Sequence, residues 1–168
     1  EVYLRENQDL LIRGLGDPFF VSEEIQILGG ELKGKIPSKM RHLLLDNSAF
    51  TFPLRADGVE RSSNPYDALN GALLVNFNTA SLEKKTDGTL TSAERQTPLT
   101  PLTISLGKHI KPGKQRINLA QDPALAQRYS GELMKAIWKE NELEFTGGIK
   151  NSLKRENDKF IFQYKNSN

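Results

Sequence analysis

Residues 10–24 read LLIRGLGDPFFVSEE. The period of the chain changes inside this stretch. Leu10, Leu11 and Ile12 form a short apolar run that fits a buried strand. Gly14-Leu15-Gly16-Asp17-Pro18 then breaks the chain. Ser22 stands where a helix N-cap belongs, and Glu23 and Glu24 occupy the first turn, where the helix dipole favours acid. Ile25, Leu28 and Leu32 follow at helical spacing, and Gly34 ends the run. The Gly29-Gly30 pair weakens this helix by about 1 kcal/mol per glycine relative to alanine, so packing must support it.

Working outward, residues 2–4 (VYL) predict a second strand, joined to the first through the polar turn 6–9. Residues 42–45 (HLLL) predict a third. From 46 to 112 helical signals vanish, and residues 72–79 (ALLVNFNT) and 102–106 (LTISL) predict strands. Asp122-Pro123 opens the clearest helix, with an Asp cap and Pro at N1, where its missing N–H costs nothing. Leu125, Tyr129, Leu133, Ala136 and Ile137 line one face of it. Residues 142–145 and 159–164 predict closing strands around Gly147-Gly148. The expected fold class is α+β: a mixed sheet with two main helices and a β-rich inserted lobe. Residues 1–50 plus 113–168 form the α+β domain and residues 51–112 the lobe.

The bulk numbers agree with a folded chain. It has 168 residues, of which 37% are hydrophobic and 26% charged, close to the globular average and enough to bury a core. Its 23 basic and 21 acidic residues leave a net charge of +2, which makes no case for a nucleic-acid partner. Cysteine is absent, which excludes disulfides, cysteine zinc ligands and a cysteine nucleophile. The longest apolar runs fall far short of the roughly 20 residues a membrane helix needs. The chain opens at Glu1 in mid-pattern and shows no signal peptide, so it reads as processed or excised from something longer.

Residues 78–89, NTASLEKKTDGT, contain fragments of serine acyl-transfer motifs. Ser81-Leu82-Glu83-Lys84 fits Ser-x-x-Lys, and Lys85-Thr86-Asp87-Gly88 comes close to Lys-Thr-Gly. Upstream, Ser62-Ser63-Asn64 fits Ser-x-Asn. The chemistry argues against them. Ser-x-x-Lys works on a helix, whose spacing lets the amine take the serine proton. Here the pair follows a β-like run and precedes a turn, and on a strand residues three apart point to opposite faces. The two lysines abut, leaving no room for a substrate between the motifs. No catalytic residue is therefore assigned.

Other candidates are weaker. Gly14-x-Gly16 lacks the third glycine and βαβ context of a dinucleotide loop, and reads as a turn that lets a helix pack on the sheet. His42 and His109 stand alone, so no metal or other cofactor is expected. Glu140, Glu142 and Glu144 alternate and read as a solvated face rather than a glycosidase pair. Tyr129, Met134 and Trp138 read as core. Lys108, Lys111, Lys114 and Arg116, with His109 among them, form the one local charge bias. They are the candidate binding residues for an anionic polymer: peptidoglycan carboxylates, teichoic-type phosphates or lipid headgroups.

Four segments in order carry a family resemblance. Leu11-Ile12-Arg13-Gly14-Leu15-Gly16-Asp17-Pro18 runs into Ser22-Glu23-Glu24. Asp46-Asn47-Ser48-Ala49-Phe50 follows the third strand. Asn64-Pro65-Tyr66-Asp67-Ala68-Leu69-Asn70-Gly71-Ala72-Leu73 leads to Val75-Asn76-Phe77-Asn78. Asp122-Pro123-Ala124 opens a helix that closes on Phe145-Thr146-Gly147-Gly148. Together they resemble the class C penicillin-binding proteins, the D-alanyl-D-alanine carboxypeptidase and endopeptidase family. In that family a long accessory insertion separates the Ser-x-x-Lys helix from Ser-x-Asn and Lys-Thr-Gly, and this chain resembles the insertion. The resemblance implies a peptidoglycan-processing, serine-type parent in the periplasm or at the cell wall, and a region that is inactive alone. Its implied partners are peptidoglycan or the catalytic domain of the same protein. Two alternatives stay open: a free-standing module that binds an anionic polymer, and a hydrolase using Ser81.

Overall fold

The strands β1 (Val2–Leu4) and β2 (Leu10–Arg13) pair antiparallel, in the register Val2–Ile12, Tyr3–Leu11, Leu4–Leu10. The computed structural model describes residues 1–51, 60, 62, 64–119 and 122–166. After β2 the chain breaks at Gly14 and Gly16. A Cβ on Gly14 would lie 2.1 Å from the Ala72 carbonyl oxygen, and Gly16, at φ +92°, donates its N–H to that same oxygen. Only glycine fits such an approach. Helix α1 (Ser22–Leu32) follows and turns Ile25, Leu28 and Leu32 inward.

The N-terminus of α1 differs from the expectation. Ser22 is the first helical residue rather than the cap, and the cap residue, Val21, offers no side-chain acceptor. The Ser22 backbone N–H is accepted instead by Asn76 Oδ1 at 2.9 Å. A distant side chain does the work that local sequence leaves undone.

The short β3 (Lys39–Met40) and then β4 (Leu43–Asp46) come next. β4 lies parallel to β2, and α1 supplies the crossover that a parallel pair needs. Residues 72–79 were expected to be extended. The strand β5 (Thr79–Lys84) begins only at Thr79, because Asn76, Phe77 and Asn78 have φ of 49°, 55° and 53°. Three successive left-handed residues cannot continue a ladder. β5 hairpins into β6 (Leu90–Ser92).

Residues 102–106 were expected to be a strand and are helical, in α2 (Pro101–Gly107). The cause is local. Thr100 and Thr103 form a reciprocal capping box, and Pro101 pre-sets the first turn. β7 (Gly113–Asn118) then pairs antiparallel with β5 along its whole length.

Helix α3 (Pro123–Glu140) starts as its sequence predicts, with the Asp122 carboxylate accepting the Ala124 N–H at 2.8 Å. Its buried side carries Tyr129, Leu133, Ile137 and Trp138. β8 (Glu144–Phe145), β9 (Ile149–Asn151) and β10 (Lys159–Phe162) complete the chain.

The strands form a five-stranded mixed sheet ordered β10-β1-β2-β4-β9, a three-stranded antiparallel sheet ordered β6-β5-β7, and the parallel pair β3-β8. This is an α+β fold. One core joins them: Val2, Ile12 and Leu45 from the large sheet, Leu82 from β5, Leu102 from α2 and Trp138 from α3 belong to a single buried cluster. The other face of the large sheet carries a smaller cluster of Tyr3, Leu11 and Leu44.

Candidate functional site

The sheet β6-β5-β7 holds every residue of the Ser81 motif. Ser81 and Lys84 both lie in β5, in extended backbone, and point to opposite faces. The Ser81 hydroxyl donates to Glu94 Oε1 at 2.9 Å. The Lys84 ammonium reaches the end of α2, donating to the carbonyls of Lys108 at 2.7 Å and Ile110 at 3.1 Å. The first is the carbonyl of the α2 cap residue and the second lies just beyond it, so the ammonium ties β5 to the end of the helix. Thr86 and Asp87 sit in the β5–β6 turn, where Asp87 accepts the Thr89 N–H. Of the Ser62-Ser63-Asn64 triplet, Ser63 lies outside the described residues; Asn64 caps the 3-10 turn Pro65–Asp67.

Behind Ser81 runs a polar network that ties this sheet to α1 and α3. Glu94 also takes a bond from the Thr97 hydroxyl, which meets the Ser22 hydroxyl at 2.7 Å. Asn76 donates to Ser22 Oγ at 2.9 Å and reaches the Tyr129 hydroxyl at 3.4 Å. Tyr129 is fully buried, and burial pushes its phenol up to about 12, so it stays protonated. The network holds elements together. In it the Ser81 hydroxyl meets the Glu94 carboxylate, not the Lys84 amine that a Ser-x-x-Lys nucleophile needs.

The four candidate binding residues divide. Arg116 donates from Nε to Thr79 Oγ1 at 3.1 Å and lies 3.8 Å from Glu94, so its charge is engaged. Lys114 faces Glu83 across the ladder at 3.9 Å with most of its side chain in solvent. Lys108 and Lys111 are exposed and carry no ion pair among the described residues.

Three of the remaining candidates, His42, Glu142 and Trp138, find structural partners. His42 Nδ1 lies 3.0 Å from Asp9, which also accepts a bidentate fork from Arg41. The Arg41 bonds are the main reason the Asp9 carboxyl is held well below the usual range. Glu142 pairs with Lys33 at 2.6 Å on the surface. The Trp138 indole donates to the Ile25 carbonyl at 2.8 Å inside the core. Among the described residues no group of three or more His, Asp or Glu side chains gathers as a metal site, and no helix is long and apolar enough to cross a membrane. A cavity of about 320 Å³ opens beside the glycine break, lined by Arg13, Gly16, Phe20, Leu73 and Tyr164 among others.

Two solved structures share this architecture. One is penicillin binding protein 4 (dacB) from Haemophilus influenzae, with a TM-score of 0.67 at 14% identity. The other is the same protein complexed with a β-lactam, with a TM-score of 0.56 at 17% identity. The chain has the fold of a stretch of penicillin binding protein 4. The matches cover 95% of this chain but only 44% and 42% of those chains, so it spans less than half of the solved proteins it matches. No protein-family model and no curated protein matches the sequence.

Sequence reasoning missed two members of this region. Glu94, which holds Ser81, Thr97 and Arg116, lies in an unremarkable polar loop with nothing to mark it. Lys84 as a cap for α2 was hidden because α2 itself was read as a strand.

Proposed function

We propose that the chain is a non-catalytic accessory region of a serine-type, peptidoglycan-processing protein of the D-alanyl-D-alanine carboxypeptidase kind. It works in the periplasm or at the cell wall, shaping access to the parent's cleft or holding the protein against the wall. The observation that carries this reading is the separation of Ser81 from Lys84. A Ser-x-x-Lys nucleophile needs its amine at the hydroxyl, whereas here the hydroxyl is bonded to Glu94 and the amine to the carbonyls of Lys108 and Ile110. The fold shared with under half of penicillin binding protein 4 supports placing the chain within a longer protein.

A fluorescent penicillin tests the inactive half of the reading. Expected is no covalent label on the chain, unchanged in Ser81→Ala. Label that disappears in Ser81→Ala overturns it. The flanking coding sequence tests the accessory half. Ser-x-x-Lys upstream and Lys-Thr-Gly downstream are expected, and a reading frame with neither overturns it.

A further inference from the structure

The cations that β5, α2 and β7 bring to one end of the three-stranded sheet are not the four that stand together in sequence. Lys84 pairs in register with Gly113, and its ammonium reaches the carbonyls of Lys108 and Ile110, so three segments meet there: 83–85, 108–111 and 113–114. Arg116 drops out of the set, since Thr79 and Glu94 hold it. Lys84 drops out because its charge caps α2. Lys85 enters, exposed in the turn beside Lys84, and its backbone is fixed by bonds to Thr89 and Gly88. Lys111 is held at its carbonyl by the Gln115 amide at 2.7 Å.

We propose that Lys85, Lys108 and Lys111, with Lys114 at the margin, form a docking surface for the carboxylate-bearing polymer of the wall, cross-linked peptidoglycan. This rests on the accessory-region reading above and names the surface that makes the contact. Among the described residues Lys85, Lys108 and Lys111 have no acidic partner; the one acid in these segments is Glu83, which faces Lys114, and Asp87 in the adjoining turn is bonded to Thr89. The Lys84 ammonium is engaged by the Lys108 and Ile110 carbonyls, so the open charges at this end are those of Lys85, Lys108 and Lys111. The cations are spread over two turns and a strand end rather than gathered round one point, which suits an extended polyanion better than a single small ion. A lipid surface fits less well. None of the large exposed apolar side chains lies in these three segments, the nearest in sequence being Ile104 on α2, and basic patches that enter a bilayer interface bring such anchors with them.

Co-sedimentation of the chain with purified peptidoglycan sacculi tests the surface. The charge-reversed K85E/K108E/K111E chain is expected to lose affinity on the order of a hundredfold, as three surface lysines facing a polyanion imply. K39E/K139E/K165E carries the same net charge with the surface intact and should bind like the unmodified chain. Binding should fade towards 1 M salt, where the Debye length shrinks to about 3 Å. Anionic phosphatidylglycerol vesicles should not carry the chain down. The milder K85Q/K108Q/K111Q, with circular dichroism on every variant, separates lost binding from lost folding. Wild-type binding by the glutamine variant, equal loss in the control, or preference for vesicles over sacculi overturns the proposal. Each of those results leaves the penicillin experiment untouched, so this inference and the accessory reading fail separately.

Discussion

Asn76 and Ser22 bond each other twice in the buried interior: Asn76 Oδ1 accepts the Ser22 backbone N–H at 2.9 Å, and Asn76 Nδ2 donates to Ser22 Oγ at 2.9 Å. The pair replaces a local helix cap with one that arrives from 54 residues away. Asn76→Ala leaves the first N–H of α1 buried without an acceptor and should cost roughly 2–3 kcal/mol. Urea unfolding checks it. Asn76→Gly relieves the positive φ but removes the same bonds. A glycine variant as stable as the parent would show that backbone strain, not the bonds, governs the site.

Two glycines in the first half of the chain should respond to alanine with opposite signs. Gly14→Ala places a Cβ against the Ala72 carbonyl and should destabilise strongly, whereas Gly30 has nothing within 4 Å of its added Cβ. Gly30→Ala in the interior of α1 should therefore gain about 0.5–1 kcal/mol. Thermal melts of the two variants decide it, and equal losses would refute the packing account.

The Asp9 cluster sets an acid limit on stability. Arg41 and His42 hold the Asp9 carboxyl low in the folded chain. A depressed folded value means the stabilisation is complete above about pH 5 and is lost as the pH falls below about 4. Asp9→Asn should be on the order of 2 kcal/mol less stable than the parent at pH 7. The gap should narrow towards pH 3. Chemical denaturation across that range measures it, and a constant gap would contradict the assignment.

Lys84→Met keeps most of the unbranched side chain, one atom shorter, and removes its charge. The carbonyls of Lys108 and Ile110 lose their donor, for an expected cost of about 1 kcal/mol. Because α2 is short, amide exchange should quicken at residues 106–110 more than in α3. Uniform quickening would mean that Lys84 is not a local clamp.

Much of this fold is legible in the chain because the signals are local. The Asp122-Pro123 cap marks α3, and the runs at 2–4, 10–13 and 42–45 mark three of the five strands of the large sheet. The errors share a cause. Residues 102–106 are apolar and short, so periodicity cannot separate strand from helix, and the deciding Thr100–Thr103 box falls just outside the run. Residues 76–78 look extended because Asn tolerates the left-handed region without demanding it and Phe77 disfavours it; the Asn76–Ser22 bonds that accompany them are non-local. At the candidate site, the strand spacing of Ser81 and Lys84 is readable from the turn that follows them. The division of the basic residues into engaged and open is not, because it depends on Glu94, Thr79 and the end of α2 arriving from elsewhere in the chain.

The burial of Trp138 gives the protein a built-in reporter. It is the single tryptophan, fully enclosed and stacked near Phe145 at the junction of α1 and α3. Its emission should be blue-shifted in the native protein and move to longer wavelength only when that junction opens. Light from this one indole therefore follows the integrity of the helical layer and stays silent while anything docks at the far end of β5.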